Sequence, residues 1–326
     1  MSKAALAAPA AAIVLALIVG APAATPPAGG LAAKYAADRG LAKDPAVLFA
    51  DDFEAWGSNG TQPPAKSWSV RKNKVSRTAT IPGRVTLGEK PGPGQRVLEI
   101  ACWTEGSGSQ SGGLSRKLGN YNHAREGLGD GHDELYIRYY IRFGENYRAV
   151  RNHGANLGGR DVTKGGSAWV GMAGIRDVST RGYFYSGLQP YGRRGGRELE
   201  MGFYSYHLDK KGPWGENYEP RMPYPLTVGK WTCVERHMKL NSVDPNKVDP
   251  ALADGVEELW VDGVRTIRKE GVRFRRVPQL RITFFSLETY YHGLPKDYTR
   301  AHPIQVQFDH LVIARKYIGP IASPTK

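Results

Sequence analysis

Hydrophobic and polar residues alternate with a period of two along many segments of this chain. The clearest segment is Glu134–Phe143, where Leu135 and Ile137 fall on one face while Arg138 and Tyr140 fall on the other. This alternation predicts β-strands that bury one face and leave the other polar. Strand patterns also occur at Val47–Phe53, Arg96–Trp103, Ala168–Met172, Gly182–Leu188, Glu198–His207, Trp231–Asn241, Glu257–Val261, Val264–Arg268, Arg281–Leu287 and Gln305–Ala314.

The connections between these segments favour tight turns. The chain contains 40 glycines, and Asp262-Gly263 is a two-residue hairpin signal. No long helical pattern and no internal repeat interrupts the strands. We therefore predict an all-β jelly-roll sandwich of two antiparallel sheets. Six residues that alternate with polar neighbours are expected in its buried faces: Leu98, Ile100, Ile137, Ile141, Leu259 and Val312.

The first 24 residues have the composition of an export signal. Lys3 precedes an uncharged apolar run, Ala4–Ala24, which ends in small residues. We expect a signal peptide cut near Ala23 or Ala24, and a secreted or periplasmic protein with no membrane association after cleavage. A retained membrane anchor is the alternative, because the run is just long enough to span a bilayer.

The rest of the chain is expected to be one large domain. Residues 25–48 are predicted to be a linker with a short helix, 49–320 the jelly roll, and 321–326 a tail. We expect a monomer. Cys102 and Cys233 form one disulfide bridge or remain as two buried thiols. The sequence has no C-x-x-C pattern or His/Cys cluster that indicates zinc.

The formal net charge is +14, which is high for an exported protein. Such a charge attracts polyanions, and export favours an acidic polysaccharide over nucleic acid. The alternative is solubility charge spread evenly over the surface. One basic segment argues against even spreading, with Glu270 as its only acid: it contains Arg265, Arg268, Lys269, Arg273, Arg275, Arg276 and Arg281.

The order of several local patterns resembles one group of carbohydrate-active jelly rolls. Leu48–Glu54 is similar to the opening strand of concanavalin A-like sandwiches. Glu134–Phe143 and Trp231–Asn241 are similar to strands of the alginate- and glucuronan-lyase-like jelly rolls, polysaccharide lyase family 14 and its neighbours. The segments Asp254–Gly263, Phe284–Glu288 and Phe308–Val312 follow in the same order. The resemblance covers roughly residues 49–318.

This resemblance implies a carbon–oxygen lyase that cleaves a uronic-acid polysaccharide by β-elimination. The reaction needs a group that neutralises the C6 carboxylate, a base for the C5 proton and an acid for the leaving O4. No cofactor is required for this chemistry. Two alternatives remain: a non-catalytic, lectin-like sandwich, and a glycoside hydrolase that uses Glu198 and Glu200, which share one strand face.

The resemblance also suggests site residues. Tyr206 stands where the family has its proton-transfer tyrosine, beside Tyr204 and His207, although a strand tyrosine can equally pack or stack on sugar. The segment 150–159 replaces a family loop and lacks the family's lysine. In that segment His153 is the candidate base or a structural loop residue. Arg151 and Asn156 are candidates to hold the uronate carboxylate.

The alternation of polar and apolar residues along the strands adds three residues to the candidate substrate-binding set. Arg138, Tyr140 and Arg142 are predicted to share the exposed, substrate-binding face with Tyr204 and Tyr206, with the loop from Arg151 to Asn156 closing over it.

A structural calcium site is a separate expectation. Asp51, Glu54 and Asp309 supply hard oxygen ligands near the first and last strands, which often lie together in such sandwiches. Ordinary salt bridges or capping are the alternative.

Overall fold

The structure is a computed structural model, and it describes sixteen strands and many of the segments that connect them. The residues described are 29–56, 63, 68–71, 74–83, 85, 95–105, 108–118, 130–148, 150, 152–161, 163, 174, 178, 182–193, 198–220 and 224–322. The predicted signal segment 1–24 and the predicted strand 168–172 lie outside them. None of the helices in these ranges is long and apolar enough to cross a membrane.

Two antiparallel sheets of eight strands each form the described part of the protein. Sheet I has the order β14-β13-β12-β6-β16-β4-β3, with β1 beside β16. Its strands are β1 Val47–Asp51, β3 Ser76–Pro82, β4 Arg96–Cys102, β6 Glu134–Phe143, β12 Trp231–Lys239, β13 Gly255–Val261, β14 Val264–Val272 and β16 Ile304–Ala314.

Sheet II has the order β10-β9-β8-β7-β15-β5-β2, with β11 beside β9. Its strands are β2 Ser69–Arg71, β5 Gln110–Lys117, β7 Asn152–Asp161, β8 Tyr183–Arg193, β9 Glu198–Tyr206, β10 Glu216–Tyr218, β11 Leu226–Thr227 and β15 Leu280–Tyr291. The predicted jelly-roll sandwich is therefore confirmed. The main core lies between the sheets, and all six residues expected in it are buried. Val312, however, belongs to a second cluster on the outer face of sheet I.

Strand β7 is where the sequence-based expectation is wrong. The segment 150–159 was expected to be a loop, yet β7 lies in the middle of sheet II between β8 and β15. The glycines of β7 are required by close packing against aromatic rings and do not indicate a loop. A Cβ at Gly158 would lie 2.1 Å from the Phe284 ring, and one at Gly159 would lie 2.1 Å from the Phe184 ring. Aromatic rings occupy the space that side chains fill in an ordinary strand.

The outer face of sheet I is covered by both ends of the described chain. Three short 3₁₀ turns, Leu31–Lys34, Ala36–Asp38 and Leu41–Lys43, pack there with the segment that follows β16. Arg138 binds Asp38 at 2.5 Å, and Glu235 accepts the backbone N–H groups of Ile318 and Gly319 at 2.7 Å. Burial raises the pKa of Glu235 to about 7. These polar contacts fix the two covering segments on the sheet.

The basic segment 265–281 is neutralised in the folded chain. Every one of its seven basic residues lies within 4.0 Å of a carboxylate, and the carboxylates are those of Asp133, Asp209, Glu216, Asp249, Glu258 and Glu270. The segment is therefore not a run of uncompensated charge. Cys102 and Cys233 are both buried and free, so the disulfide alternative is wrong.

A buried ion pair links the two sheets through the core. Arg236 of β12 and Glu257 of β13 are both fully buried, with nitrogen and oxygen 3.4 Å apart. Arg236 also donates to the carbonyl groups of Ala155 and Ser186 at 3.0 Å. Ser205 donates to Glu257 at 2.6 Å. Two strands of sheet I are thus hydrogen-bonded to β7, β8 and β9 of sheet II.

Removing one charge of this pair should cost far more than removing both. Arg236→Met leaves the Glu257 carboxylate buried without its cation, and we expect a loss of about 3–5 kcal/mol in the free energy of unfolding. Arg236→Met/Glu257→Gln removes the stranded charge and should recover part of that loss. Urea denaturation of both variants measures the difference. A double variant that is no more stable than Arg236→Met would show that the buried, unpaired charge of Glu257 does not cause the loss of stability.

A second polar cluster lies on the outer face of sheet I. His237 is hydrogen-bonded to Glu258 through Nδ1 and to Glu134 through Nε2, each at 2.8 Å, and Tyr136 stacks on its ring at 4.1 Å. Arg265 and Arg268 bind the other oxygen of Glu258. Burial lowers the pKa of His237, but the two carboxylates outweigh burial and raise it above its ordinary value.

The raised pKa of His237 determines how its contribution to folding stability changes with pH. His237 takes up its proton more readily in the folded than in the unfolded chain, so its contribution is full below the unfolded pKa of about 6.5. It is lost as pH rises through the folded pKa. We expect the stability advantage of the wild type over His237→Gln to be larger at about pH 5.5 than at about pH 9. Thermal melting across this range tests it, and an advantage that grows toward alkaline pH contradicts it.

Candidate active site

Three tyrosines form a cluster on the outer face of sheet II. Tyr185 of β8 and Tyr204 and Tyr206 of β9 alternate with residues that face the other sheet. Ser186 and Ser205 reach Glu257 in the core, so the tyrosines beside them must point outward. The tyrosine cluster is 2–8% exposed and packs with Val178 and Phe284 in a group separate from the main core.

The phenolic groups of this cluster are hydrogen-bonded and packed edge to face. The hydroxyl oxygens of Tyr204 and Tyr206 are 3.1 Å apart, and their ring centroids are 5.4 Å apart at 89°. Tyr185 lies 6.0 Å from Tyr206 between ring centroids. A proton can therefore pass between the two hydroxyls of β9 without a large movement.

Asn156 lies beside the cluster at a bulge in β7. The pairing of β7 with β8 shifts between Gly154 and Leu157, and Ala155 adopts a left-handed backbone with φ of 47°. Such a conformation is strained in a residue other than glycine and is kept only where surrounding contacts impose it. Arg236 supplies one such contact by donating to the Ala155 carbonyl. The bulge turns the Asn156 side chain toward the cluster.

A hydrogen-bonded chain runs from Tyr185 through Asn156 to Glu288. Tyr185 donates to Asn156 Oδ1 at 2.5 Å, and Asn156 Nδ2 donates to Glu288 and, at 3.3 Å, to Ser286. Burial raises the pKa of Tyr185 well above its ordinary value, and the nearby Glu288 raises it further. Tyr185 is therefore a neutral donor at physiological pH. Both N–H groups of Asn156 are hydrogen-bonded within the protein, and its Oδ1 accepts from Tyr185. That Asn156 holds the uronate carboxylate stays a prediction.

The connection from β9 to β10 borders the cluster on one side. The Lys210 ammonium lies 5.2 Å from the centre of the Tyr206 ring and donates to the Gly212 carbonyl at 2.8 Å. Gly215 packs directly on the cluster, because a Cβ there would lie 2.9 Å from the rings of both Tyr204 and Tyr206. The site thus combines proton donors with the positive charge of Lys210.

The expected grouping of Arg138, Tyr140 and Arg142 with these tyrosines is wrong. The three residues lie on β6 in sheet I, whose outer face is on the other side of the sandwich. Arg138 is buried against Asp38, and Tyr140 accepts the backbone N–H of Ile321 at 2.9 Å. Arg142 donates to the Gly229 carbonyl at 2.8 Å. The alternation of β6 identifies its two faces correctly, but it does not reveal that other segments cover the polar one.

The remaining predicted substrate-binding residues have different outcomes. Arg151 lies outside the described residues. For His153 the structure describes only the backbone, in β7 opposite Tyr290. His207 follows β9 and binds Glu216 at 2.9 Å. Its side chain therefore fixes the β9–β10 connection, away from the face that carries Tyr206.

The three carboxylates predicted to bind calcium are used in local hydrogen bonds. Asp51 accepts the indole N–H of Trp68 at 2.6 Å, Glu54 accepts the backbone N–H of Arg96 at 3.0 Å, and Asp309 accepts that of His310 at 2.7 Å. Within the described part of the chain, no three His, Cys, Asp or Glu side chains come together as a metal site requires. Calcium binding stays a prediction.

Glu198 and Glu200 lie on β9, on the same outer face as the tyrosine cluster. Glu198 is exposed and lies opposite the backbone of Arg193 in the pairing of β8 with β9, whereas Glu200 is half-buried opposite Tyr191. The shared face agrees with the alternation that suggested a carboxylate pair.

Sequence reasoning missed Tyr185, Glu288 and Lys210. The alternation of Tyr183, Tyr185 and Gly187 in β8 was a usable signal for Tyr185. Glu288 and Lys210 gave no such signal, because only the pairing of β7 with β15 and the path of the β9–β10 connection bring them close.

The two antiparallel sheets define the class of fold. It is an all-β jelly-roll sandwich, and alginate lyase Aly36B has a similar fold, so the fold-level resemblance predicted from the sequence is confirmed.

Three solved structures illustrate the likeness. The alginate lyase Aly36B has a TM-score of 0.54 and 13% identity, and the match covers 83% of this chain and 98% of that chain. Endo-β-1,4-glucuronan lyase from the fungus Trichoderma reesei has a TM-score of 0.47, 14% identity and coverages of 82% and 95%. Alginate lyase vAL-1 from Chlorella virus has a TM-score of 0.47, 16% identity and coverages of 76% and 93%. At 13% identity the likeness to Aly36B shows the fold alone. No family model matches the chain, and no curated protein matches it in sequence.

Proposed function

We propose that this protein is a polysaccharide lyase that cleaves a uronic-acid polymer by β-elimination at the outer face of sheet II. The observation that carries the proposal is the hydrogen-bonded pair Tyr204–Tyr206, which faces away from the core and lies beside the positive charge of Lys210. A proton donor for the leaving O4 and a positive charge near the carboxylate are two of the three groups that elimination from a uronate requires, the third being a base for the C5 proton.

In the proposed reaction a base removes the C5 proton, the C4–O4 bond breaks and a C4–C5 double bond forms. Tyr206 gives its phenolic proton to the leaving O4, and the base keeps the C5 proton. After product release that proton returns to Tyr206 through solvent water and the hydroxyl of Tyr204, which is hydrogen-bonded to Tyr206. Lys210 favours the negative charge that develops on the carboxylate and the sugar ring. His153 is the proposed base and Arg151 a proposed carboxylate ligand. Both assignments come from the sequence.

The chain Tyr185–Asn156–Glu288 has an orienting role in this proposal. It fixes Tyr185 as a neutral donor 6.0 Å from Tyr206 between ring centroids. The hydroxyl hydrogen of Tyr185 is donated to Asn156, so its oxygen is free to accept from a sugar hydroxyl. The raised pKa keeps Tyr185 protonated through the reaction.

Tyr206→Phe should lower the rate of elimination by about 10²–10⁴-fold, because it removes the transferred proton and retains the ring. The assay follows the ultraviolet absorption of unsaturated uronate on alginate and glucuronan, with a neutral β-glucan for comparison. Binding of the acidic glycan should stay close to that of the wild type. Tyr317→Phe is the matched control: this ring packs on Trp260 at the outer face of sheet I.

Other outcomes point to other functions. Full activity in Tyr206→Phe would remove Tyr206 from the mechanism. New reducing ends without ultraviolet absorption, lost in Glu198→Gln or Glu200→Gln, would indicate a hydrolase. Binding without any product would indicate a lectin-like protein.

A further inference from the structure

Trp214 is an exposed aromatic residue beside the candidate active site. It lies between β9 and β10 and is 54% exposed, more than any other tryptophan that the structure describes. Single exposed apolar residues are common and need no explanation by themselves. The position of this one, next to the tyrosine cluster, is what gives it significance.

The backbone around Trp214 is fixed on several sides. The adjacent Gly215 packs on the rings of Tyr204 and Tyr206, and Lys210 holds the Gly212 carbonyl. Gly174 donates its N–H to the Pro213 carbonyl at 3.1 Å. An exposed indole on a backbone held in this way loses little conformational freedom when a ligand binds, which favours affinity.

The order of strands places Trp214 at one end of a row of polar side chains. Asn156, Tyr185 and Tyr204 lie on the successive strands β7, β8 and β9, and β10 is the next strand and the edge of the described sheet. Neighbouring strands are about 4.8 Å apart, roughly the length of one sugar unit. A polysaccharide that crosses the strands over Tyr206 would therefore reach the β9–β10 connection within one or two sugar units.

We propose that Trp214 is a carbohydrate-stacking subsite that binds a pyranose ring of the polymer next to the sugar on which Tyr206 acts. The C–H face of the ring packs on the indole, and the sugar hydroxyls stay in water or reach the indole N–H. The ligand class is an acidic oligosaccharide longer than a disaccharide. The inference rests on the proposed function, because it assumes that the same glycan occupies the tyrosine cluster.

The experiment measures binding of alginate and glucuronan disaccharides and tetrasaccharides by calorimetry in the Tyr206→Phe background, where cleavage is suppressed. Adding Trp214→Ala should weaken tetrasaccharide binding about tenfold, equivalent to 1.4 kcal/mol, and should change disaccharide binding much less. Trp214→Phe should recover part of the affinity. Tetrasaccharide binding should also change the tryptophan fluorescence, and this change should disappear in Trp214→Phe.

Val248→Ala is the control for a substitution at an exposed apolar residue, because Val248 lies on the surface in the connection from β12 to β13. All variants should melt at the temperature of the parent. Tetrasaccharide binding that is unchanged in Trp214→Ala would overturn the subsite. If the wild type binds neither glycan, the subsite and the lyase are both wrong. If it binds them with dependence on Trp214 but yields no unsaturated product, the subsite holds and the lyase proposal fails.

Discussion

The buried ion pair of Arg236 and Glu257 is the constraint on which both sheets depend. A charge without a partner is very costly in the interior of a sandwich, so each member of this pair requires the other and also requires hydrogen bonds from the facing sheet. Arg236 obtains its bonds from the carbonyl groups of Ala155 and Ser186, and Glu257 obtains them from two serines. The two sheets can satisfy these groups in one relative position, which fixes the register of β7, β8 and β9 over β12 and β13.

The Arg236–Glu257 pair also fixes the geometry of the candidate active site. Ala155 precedes Asn156, and Ser186 follows Tyr185, so each residue bound by Arg236 has its neighbour on the opposite face of sheet II. The polar chain on the outside and the ion pair on the inside therefore share the same two strands. The guanidinium group of Arg236 contacts the strained backbone of Ala155 from the core, on the side opposite the face where chemistry is proposed.

The sequence predicted the fold well where side chains alternate along a strand. It predicted poorly the features that depend on contacts between distant segments. The alternation of β6 identified a strand and its buried face correctly. It could not show that Asp38, a hundred positions away, covers Arg138. Strand β7 was not predicted, because its glycines accommodate the rings of Phe184 and Phe284. These rings come from other strands, so the local sequence of 152–161 gives no sign of them. Tyr206 was predicted from a family resemblance, whereas Glu288 reaches Asn156 only through sheet pairing.

The cover on the outer face of sheet I also determines how the protein can be attached to something else. Both covering segments, residues 31–46 and 315–322, lie on the side of the sandwich opposite the tyrosine cluster. A fusion partner, an affinity label or a solid support joined beyond either segment would therefore leave open the outer face of sheet II, where we propose that the glycan binds. Trimming the chain back to β1 would have a different effect, since it would strip Asp38 from the buried guanidinium of Arg138. The ends of the described chain are thus suitable points for extension and unsuitable points for shortening.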